Sequence, residues 1–367
     1  MIRSYKYRLY TSKKQDKLLD QYLTSCRYLY NNLLQLEKVT YQLDEKFIFY
    51  NDLAKIVKEE KGIYAQVKQQ IAKRLERSLK SFLQKRKITN IGFPRFKNKY
   101  RYKSWTYPQK GFKLENDYLI LYKLGRIKVK LHRKLEGRIK TCTIKKEVDK
   151  WYVIFCIEKE DKQVIRKDNN QIGIDLGCKN FITLSNGEKI KNPKYLKQTI
   201  KQISSLQKTK DTTKNSKKKN RLSRKISKLY HKIFNQREDF LHKLSRKLCN
   251  DYSIIYVEDL KTRQIIDKTK EKKNLRKTIL DSGWSSFIQK LTYKVEETGS
   301  KLVKVNPRNT TKTCSNCGLL VEKSLSERVH KCTCGLEIDR DYNAAINILR
   351  FGQESLCGSS ALKILYT

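Results

Sequence analysis

The apolar positions of this chain change their spacing twice between the N-terminus and residue 160. Residues 2–10 alternate between apolar and polar, which predicts a short strand. Apolar residues then recur at helical spacing over 18–34 and again over 67–82, so we expect two amphipathic helices. Alternating, β-branched segments follow between residues 100 and 160 and predict a small antiparallel β-barrel, which the N-terminal strand is free to join.

The second half of the chain alternates short apolar strands with helical segments. The predicted elements are strands at 171–177, 181–185, 253–260 and 301–305 and a helix at 284–298. Residues 193–250 are charged and helical in pattern with a lysine-rich hinge at 208–220, which predicts a helical hairpin. Residues 261–280 are interpreted as a basic loop. These elements together predict an α+β multidomain fold.

The charge of the chain points to a polyanionic partner. The formal net charge is +46, from 83 Lys plus Arg against 37 Asp plus Glu. Such an excess repels itself unless a polyanion neutralises it, and each phosphate contact releases counterions. The 22 Tyr and 12 Phe are interleaved with the basic residues and can stack on bases, although many of them belong in a core. We therefore expect nucleic acid as the partner, held along a groove.

Cysteine usage is typical of a reduced, intracellular chain. Six of the ten cysteines are scattered singly and are expected to be free thiols: Cys26, Cys142, Cys156, Cys178, Cys249 and Cys357. The N-terminus has no apolar signal core, and no stretch is long enough to cross a membrane. These features predict a cytoplasmic, nucleoid-associated protein.

The other four cysteines have metal-ligand spacing. Cys314 and Cys317 form a CxxC pair, and Cys332 and Cys334 form a tighter CxC pair. Thiolates are good Zn²⁺ ligands, and four of them close a tetrahedral structural site. His330 is an alternative ligand, but we favour the four cysteines. Because an acidic two-metal site would not use thiolates, this metal is predicted to be structural.

Three carboxylates lie at the ends of predicted elements, Asp175 and Glu258 after apolar strands and Asp341 at the start of an alanine-rich helix. Each has an ordinary explanation by itself, because aspartates form turns after strands and cap helices. Asp259, next to Glu258, is also able to point inward. Together, three carboxylates from separate elements in a strongly cationic chain predict a two-metal site that cleaves phosphodiesters.

The order of these motifs resembles the RuvC-like nuclease of TnpB (OrfB) proteins, which insertion sequences encode and which are similar to type V CRISPR effectors. The matching motifs are Gly-Ile-Asp175-Leu-Gly, Val-Glu258-Asp-Leu, the two cysteine pairs and Asp-Arg-Asp341-Tyr-Asn-Ala-Ala. Tyr5-Lys-Tyr-Arg-Leu-Tyr, Gly92-Phe-Pro-Arg-Phe-Lys and Gly283-Trp284 extend the resemblance over nearly the whole chain. The CxC pair departs from the CxxC pair that the family more often has.

The resemblance implies that Asp175, Glu258 and Asp341 are the catalytic acids and bind two Mg²⁺ ions, with Asp259 and Asp339 as neighbours only. It also implies a structural Zn²⁺ at the four cysteines. The implied activity is that of an RNA-guided DNA endonuclease of a transposable element. Its guide RNA comes from the element's own end, and its target is double-stranded DNA beside a short flanking motif.

Two other classes of protein were weighed against this one. A nuclease-inactive or decayed RNA-guided regulator on the same fold is the alternative, but such a protein is expected to lose one or more of the three acids. A transposase that joins DNA through a tyrosine is disfavoured, because no His-x-His pair occurs among His132, His231, His242 and His330.

The resemblance further implies a domain order. The expected regions are a wedge-like β-barrel at 1–10 and 100–165, a helical recognition region at 11–99, a RuvC-like nuclease of RNase H fold with a helical hairpin insertion at 166–305, a zinc-binding element at 306–337, the last RuvC motif and its helix at 338–350, and a C-terminal tail at 351–367.

Overall fold

A computed structural model describes the chain except for residues 45, 87, 89, 90, 161–163, 165, 167, 269–272, 325, 326 and 365–367 and the side chains of 263, 268, 273 and 357–364. The chain divides into two units, Met1–Asp161 and Lys162–Thr367. Each unit has its own hydrophobic core. Among the helices described, none is long and apolar enough to cross a bilayer.

The first unit is built on a seven-stranded antiparallel sheet with the N-terminal strand inside it. Its elements are β1 (Ile2–Tyr10), α1 (Lys13–Asp44), α2 (Tyr50–Ile56), α3 (Ala65–Lys85), β2 (Ser104–Tyr107), β3 (Phe112–Glu115), β4 (Tyr118–Leu121), β5 (Gly125–Lys130), β6 (Arg138–Glu147) and β7 (Lys150–Glu158). The strand order is β2-β6-β7-β1-β5-β4-β3. The prediction that the N-terminal strand joins this sheet is confirmed, because β1 pairs with both β7 and β5. Closure of the sheet into a barrel stays a prediction.

Helix α1 begins at a capping box. The Ser12 hydroxyl accepts from the backbone N–H of Gln15 at 3.2 Å, and the Gln15 side chain accepts from the backbone N–H of Ser12 at 3.0 Å. The apolar stripes of α1 and α3 are buried in one core with the sheet. In that core the ring of Tyr22 lies 5.1 Å from that of Trp105 on β2. Both helical stripes predicted from the spacing are therefore core-facing.

The second unit is built on a five-stranded mixed sheet. Its elements are β8 (Gln171–Leu176), β9 (Asn180–Leu184), β10 (Lys189–Lys191), α4 (Tyr195–Thr212), α5 (Ser216–Asp251), β11 (Ile254–Glu258), α6 (Thr262–Lys268), α7 (Lys273–Ser282), α8 (Trp284–Thr298), β12 (Lys301–Val305), β13 (Val329–Lys331), β14 (Glu337–Asp339) and α9 (Arg340–Ile364). The strand order is β10-β9-β8-β11-β12. Strands β8, β11 and β12 run parallel, whereas β9 and β10 are antiparallel to their neighbours.

Helices cover both faces of this sheet. Side chains alternate between the faces along each strand, so residues two apart share a face. On one face the β8 and β11 residues that pack with α5 and α8 are Ile172, Ile174, Ile255 and Val257. On the other face Tyr256 and Val305 pack with Ile348 and Leu349 of α9. The result is a helix–sheet–helix arrangement in which α9 lies alone on the second face among the helices named here.

The charged stretch at 193–250 forms the expected pair of helices. Ile203 of α4 packs with Ile226 and Ile233 of α5. The connection is shorter than the lysine-rich hinge predicted at 208–220, because only residues 213–215 lie between the two helices. Asn215 ends that connection by accepting from the backbone N–H of Lys218 at 3.0 Å. Lysine is a good helix former, so a run of lysines does not mark the end of a helix.

The interpretation of residues 261–280 as a basic loop is wrong where the structure describes them. Helices α6 and α7 take up most of this segment, and residues 269–272 lie outside the described part. The charge run hid a set of apolar side chains, Ile265, Ile266 and Ile279, which pack against the core of the second unit. Amphipathic packing therefore decided the local structure.

Candidate metal centres

Two of the three predicted carboxylates are neighbours on adjacent strands. Val257 of β11 is in register with Ile174 of β8, and the two strands are parallel. The next pair along is therefore Glu258 and Asp175, whose side chains point to the same face of the sheet. That face is the one covered by α9, since Tyr256 and Glu258 are two residues apart. The carboxyl ends of parallel strands are the usual rim for a functional site.

A glycine brings helix α9 against this rim. A Cβ added to Gly173 would lie 2.3 Å from the carbonyl oxygen of Ala345 and 2.7 Å from the backbone nitrogen of Leu349. Only glycine therefore allows α9 to approach β8 this closely. Gly173 and Asp175 share a face of β8, and Asp341 lies one helical turn before Ala345. The close packing thus places the first turn of α9 toward the end of the strand that carries Asp175.

Burial raises the pKa of two of these carboxyl groups, and neighbouring negative charges add to the effect at Asp175. Asp175 is 8% exposed, and its pKa is raised well above the usual range, first by burial and then by the negative charges of Glu258 and Asp341. The pKa of Glu258, which is also 8% exposed, is raised by burial and is opposed by a hydrogen bond from the Thr310 hydroxyl. The negative charges of Glu258 and Asp341 therefore act on Asp175, and the assignment of the three acids to one site stays a prediction.

Asp341 is held by two arginines that the sequence analysis did not single out. Arg340 lies 3.4 Å from Asp341 Oδ1, and Arg328 lies 3.8 Å from Asp341 Oδ2. The charge of Arg340 also acts on Asp175, where it lowers the pKa. Arg340 lies within the Asp-Arg-Asp motif, so the motif itself indicates that it is near Asp341. Arg328 is separated from Asp341 by 12 residues, and no motif in the sequence indicates their contact.

The two acidic neighbours of the predicted site, Asp339 and Asp259, make other contacts. Asp339 caps α9, because its Oδ1 accepts from the backbone N–H groups of Asp341 and Tyr342, both at 3.1 Å. It also pairs with Lys189 at 2.9 Å. Asp259 is exposed and pairs with Lys304 at 3.3 Å. Glu258 is thus the inward-facing member of the Glu258–Asp259 pair.

The four cysteines form one tight cluster. Their sulfurs all lie within 4.8 Å of one another, with Cys314–Cys334 at 3.7 Å and Cys317–Cys332 at 3.5 Å. Four thiolates about 2.3 Å from one Zn²⁺ would place their sulfurs about 3.8 Å apart, so the spacing fits a tetrahedral ion. Within the described residues this is the one such group of metal ligands, and the three carboxylates are not drawn together as tightly.

The one-residue spacing of the second pair is accommodated by a tight turn. The backbone N–H of Gly335 donates to the carbonyl of Cys332, and that of Cys332 donates to the carbonyl of Leu336, both at 3.0 Å. Gly335 has a φ of +87°, which a residue with a side chain rarely adopts. His330 is buried, its Nδ1 contacts the Lys323 ammonium, and it is not a member of the cluster. The preference for four cysteines over a histidine-containing set stays a prediction, which this side-chain arrangement supports.

Three family models match parts of the chain. Family models described as "Helix-turn-helix domain", "Probable transposase" (OrfB_IS605) and "Cas12f1-like, TNB domain" match residues 1–46, 154–269 and 284–348. In the described part of residues 1–46 the structure has strand β1 and the long helix α1, not two helices joined by a turn. The chain is 29% identical to "Putative RNA-guided DNA endonuclease InsQ" of Escherichia coli K12, over 97% of this chain and 94% of that one.

Two further comparisons extend the set. A "Putative RNA-guided DNA endonuclease" of Streptomyces pristinaespiralis is 28% identical, over 97% of this chain and 91% of that one. Among solved structures, a Cas12f1–sgRNA–target DNA complex aligns with a TM-score of 0.36 and 17% identity, covering 95% of this chain and 99% of that one. From the family matches and the curated relatives, the chain belongs to the TnpB (OrfB) family of insertion-sequence proteins, which is related to type V CRISPR effectors.

Proposed function

We propose that this protein is an RNA-guided DNA endonuclease that cleaves its target at a RuvC-like site formed by Asp175, Glu258 and Asp341. The observation that carries the proposal is the pairing of Asp175 and Glu258 on adjacent parallel strands, with the first turn of α9 packed against the same strand. The two relatives named as RNA-guided DNA endonucleases align with this chain over nearly their whole length.

The topology of the second unit supports the nuclease assignment. A mixed sheet in which three antiparallel strands lead into two further parallel strands, with helices on both faces, suits an RNase H type of fold. In such a sheet, acids at the ends of neighbouring parallel strands meet at one rim. The wedge-like region at 1–10 and 100–165, the recognition region at 11–99 and the remaining boundaries given above belong to this proposal.

The acidic rim fits Mg²⁺ by its chemistry. Carboxylate oxygens are the ligands that Mg²⁺ prefers, and the raised pKa of Asp175 reflects burial first and then negative charge that a divalent cation would offset. Two bound Mg²⁺ ions would supply Lewis-acid stabilisation of the phosphate and a water of lowered pKa. Asp175, Glu258 and Asp341 would hold them. Asp175 and Glu258 are already adjacent, whereas Asp341 is engaged by arginine.

The arginines at Asp341 suit a phosphodiester substrate. Arg328 is 55% exposed and reaches Asp341 from the solvent side, so part of its guanidinium is available to a phosphate oxygen. Arg340 is largely buried and also donates to the carbonyl of Glu327 at 2.9 Å. Arg340 is therefore placed to offset the repulsion between the acids, while Arg328 orients the scissile phosphate.

The four-cysteine cluster is proposed to hold a structural Zn²⁺. Its sulfur spacing fits the ion, and four thiolates leave no position open for substrate. The cluster follows β12 and precedes α9 in the chain, so it closes the segment that joins Glu258 to Asp341. A structural ion there would restrict that segment, in line with a zinc-binding element at 306–337.

The charge of the chain supports nucleic-acid partners on the scale of a guide and its target. A net charge of +46 suits a channel that holds guide RNA and double-stranded DNA, and base pairing with the guide supplies sequence specificity. The protein itself would read only a short DNA motif flanking the target. The guide RNA is proposed to come from the end of the element that encodes this chain.

The test begins with co-expression of the chain and its native flanking DNA, followed by purification and sequencing of the bound RNA. We expect one discrete RNA that runs past the end of the element. That RNA, re-programmed to a chosen target, should direct Mg²⁺-dependent cleavage. Asp175→Ala should abolish cleavage, by at least about 10³-fold, and leave guided DNA binding intact, because it removes a metal ligand at the rim.

The outcomes separate the parts of this proposal. Cleavage by Asp175→Ala at the wild-type rate would remove Asp175 from the site. Mg²⁺-dependent cutting without any specific bound RNA would indicate an unguided nuclease. Guided binding without cleavage by the wild-type chain would indicate a nuclease-inactive regulator, which the presence of all three acids disfavours. Asp259→Ala serves as the matched control, since this exposed carboxylate pairs with Lys304 outside the rim.

A further inference from the structure

Thr310 connects Glu258 to the segment that precedes the four-cysteine cluster. It is 1% exposed, and its hydroxyl donates to Glu258 Oε1. The carbonyl of Pro307 is a second, longer contact of the same hydroxyl, at 3.3 Å. Thr310 therefore holds one carboxylate oxygen of a buried acid at the rim.

Helix α9 in turn holds Thr310 in place. The Asn347 side-chain amide donates to the carbonyl of Thr310 at 2.9 Å and to the carbonyl of Thr313 at 2.6 Å. One turn earlier, the Asn343 amide donates to the same Thr313 carbonyl at 2.8 Å. Both asparagines are fully buried, so these bonds are made away from water, where a lost partner is costly.

The same helix also reaches the cysteine cluster. Asn343 Oδ1 accepts from the backbone N–H of Ser315 at 3.0 Å. Ser315 directly follows Cys314 in the CxxC turn. A continuous set of hydrogen bonds, buried except for its part-buried first member at Ser315, thus runs from Ser315 through Asn343 and Asn347 to Thr310 and then to Glu258. Asp341, the third acid, lies on the first turn of this same helix.

A glutamate at a metal site needs such support. Glu258 has three rotatable side-chain bonds, and ordering them costs conformational entropy that a fixed hydrogen-bond donor offsets. Donors that contact a metal-binding carboxylate orient it, and their loss typically weakens metal binding or activity about 10- to 100-fold. Thr310 fixes one oxygen of Glu258 and leaves Oε2 for another partner.

We propose that Thr310 is a positioning residue for Glu258, and that Asn347 and Asn343 couple it to the four-cysteine cluster. This inference rests on the proposed nuclease function of Glu258. The consequence is that the cysteine cluster acts on the acidic rim as well as on its own segment, through helix α9. The proposal depends on the hydroxyl group of Thr310. Substitutions can therefore test the shape of this side chain and its hydrogen-bonding capacity separately.

The experiment compares Thr310→Val, which keeps the shape and removes the hydroxyl, with Thr310→Ser, which keeps the hydroxyl. Each full-length variant is purified with its guide RNA, and cleavage is measured across Mg²⁺ concentrations. We expect Thr310→Val to need about 10-fold more Mg²⁺ for half-maximal cleavage, while the rate at saturating Mg²⁺ approaches that of the wild type. Thr310→Ser should follow the wild-type curve.

A readout independent of activity accompanies this titration. Mn²⁺ binding is measured by electron paramagnetic resonance, and the Asp175→Ala complex with the same RNA serves as the blank for ions bound elsewhere. Thr310→Val should weaken the Mn²⁺ binding that remains after subtraction by about 10-fold. Thr298→Val is the matched control, because its half-buried hydroxyl bonds only within and beside α8. Zinc content and thermal unfolding are recorded for every variant.

The results decide between a positioning and a merely structural role. A Thr310→Val complex with wild-type Mn²⁺ affinity and Mg²⁺ dependence would overturn the inference. Equal impairment of the Ser and Val variants, with lowered zinc content or thermal stability, would also overturn it. If Glu258→Gln still cleaves, the proposed function fails and the inference fails with it. If Glu258→Gln is inactive and Thr310→Val is normal, the inference alone fails.

Discussion

Buried carboxyl groups differ at the residue scale in what surrounds them. Asp175 has three like charges nearby, Glu258 has a hydroxyl donor, and Glu37 in the first unit has one backbone donor, the N–H of Ile48 at 3.1 Å. Glu37 is fully buried, and burial raises its pKa to about 7. At neutral pH the first unit therefore contains a carboxyl group that is close to half protonated.

The raised pKa of Glu37 predicts a loss of stability with rising pH. The folded chain holds a proton on Glu37 up to pH of about 7, whereas the unfolded chain releases it near 4.5, so this contribution is present below 4.5 and is lost as pH rises through 7. Glu37→Gln stays neutral and should be more stable than wild type at pH 8.5 by on the order of 2 kcal/mol.

Thermal unfolding of both chains from pH 5 to 8.5 checks this prediction. The wild-type midpoint should fall relative to that of Glu37→Gln as pH rises, with most of the divergence between pH 5 and 7.5. Glu59→Gln, at an exposed carboxylate of the same unit, is the control and should run parallel to wild type. A Glu37→Gln curve that also ran parallel to wild type would show that Glu37 is ionised in the folded chain.

At the element scale, the rim depends on how α9 packs and on what fixes its first turns. Gly173 permits the approach of α9 to β8, and Asp339 caps the helix. Asn343 and Asn347 join the helix to the loop that carries Cys314. The first turns of α9 thus contact the cysteine loop and also carry Asp341, so a Zn²⁺ held by the four cysteines would be coupled to the acidic rim.

Removing the zinc should therefore loosen the start of α9. Cys332→Ser removes one of four thiolates, and we expect it to lower bound zinc from one ion per chain to near zero. Hydrogen–deuterium exchange should then increase at residues 310–315 and 340–347, and guided cleavage should fall at least about 10-fold, since Thr310 and Asp341 lose their support.

The matched control is Cys156→Ser, which changes a half-buried thiol in the first unit. It should keep both its zinc and its exchange pattern. Loss of zinc from Cys332→Ser with unchanged protection at 310–315 and 340–347 would show that the cluster and the helix are independent of each other.

At the scale of the whole molecule, charge dominates over any single contact. With a net charge of +46, binding to RNA releases many counterions, and non-specific and specific binding share this contribution. The exposed aromatic rings of the first unit often carry a cation above them, as Lys38 does at 4.6 Å over Phe96 and Arg27 at 4.4 Å over Tyr28. Such pairs suit both phosphate contact and base stacking.

Raising the salt concentration should therefore weaken RNA binding steeply. The difference in affinity between the guide RNA and a scrambled RNA then measures specificity. We expect the affinity of the full chain for its guide RNA to fall at least about 10³-fold between 50 and 200 mM KCl, as for a protein with several phosphate contacts. A scrambled RNA of the same length should have a similar slope and lower affinity at every salt concentration. Filter binding or fluorescence anisotropy measures both. A slope near zero would contradict a mainly electrostatic interface.

Periodicity predicted the elements whose burial is set by local pattern. The strand at 2–10 and the amphipathic helices over 18–34 and 67–82 were predicted correctly, because side-chain spacing determines them. Helices α6 and α7 were not predicted. The high lysine content of this segment indicated a loop, and its three isoleucines favour helices only because they pack against the core of the second unit. Closure of the first sheet depends on long-range pairing, which spacing does not report.

The sequence by itself determined which residues are proposed to bear the chemistry: four cysteines at chelating spacing, and acids at the ends of two strands and one helix. Those signals are local, since they are set by residue type and by position within an element. Only the tertiary structure decided that Glu258 rather than Asp259 faces inward, that Arg328 reaches Asp341, and that Thr310 contacts Glu258. These relations join residues 13 to 52 positions apart, and strand register and helix packing create them.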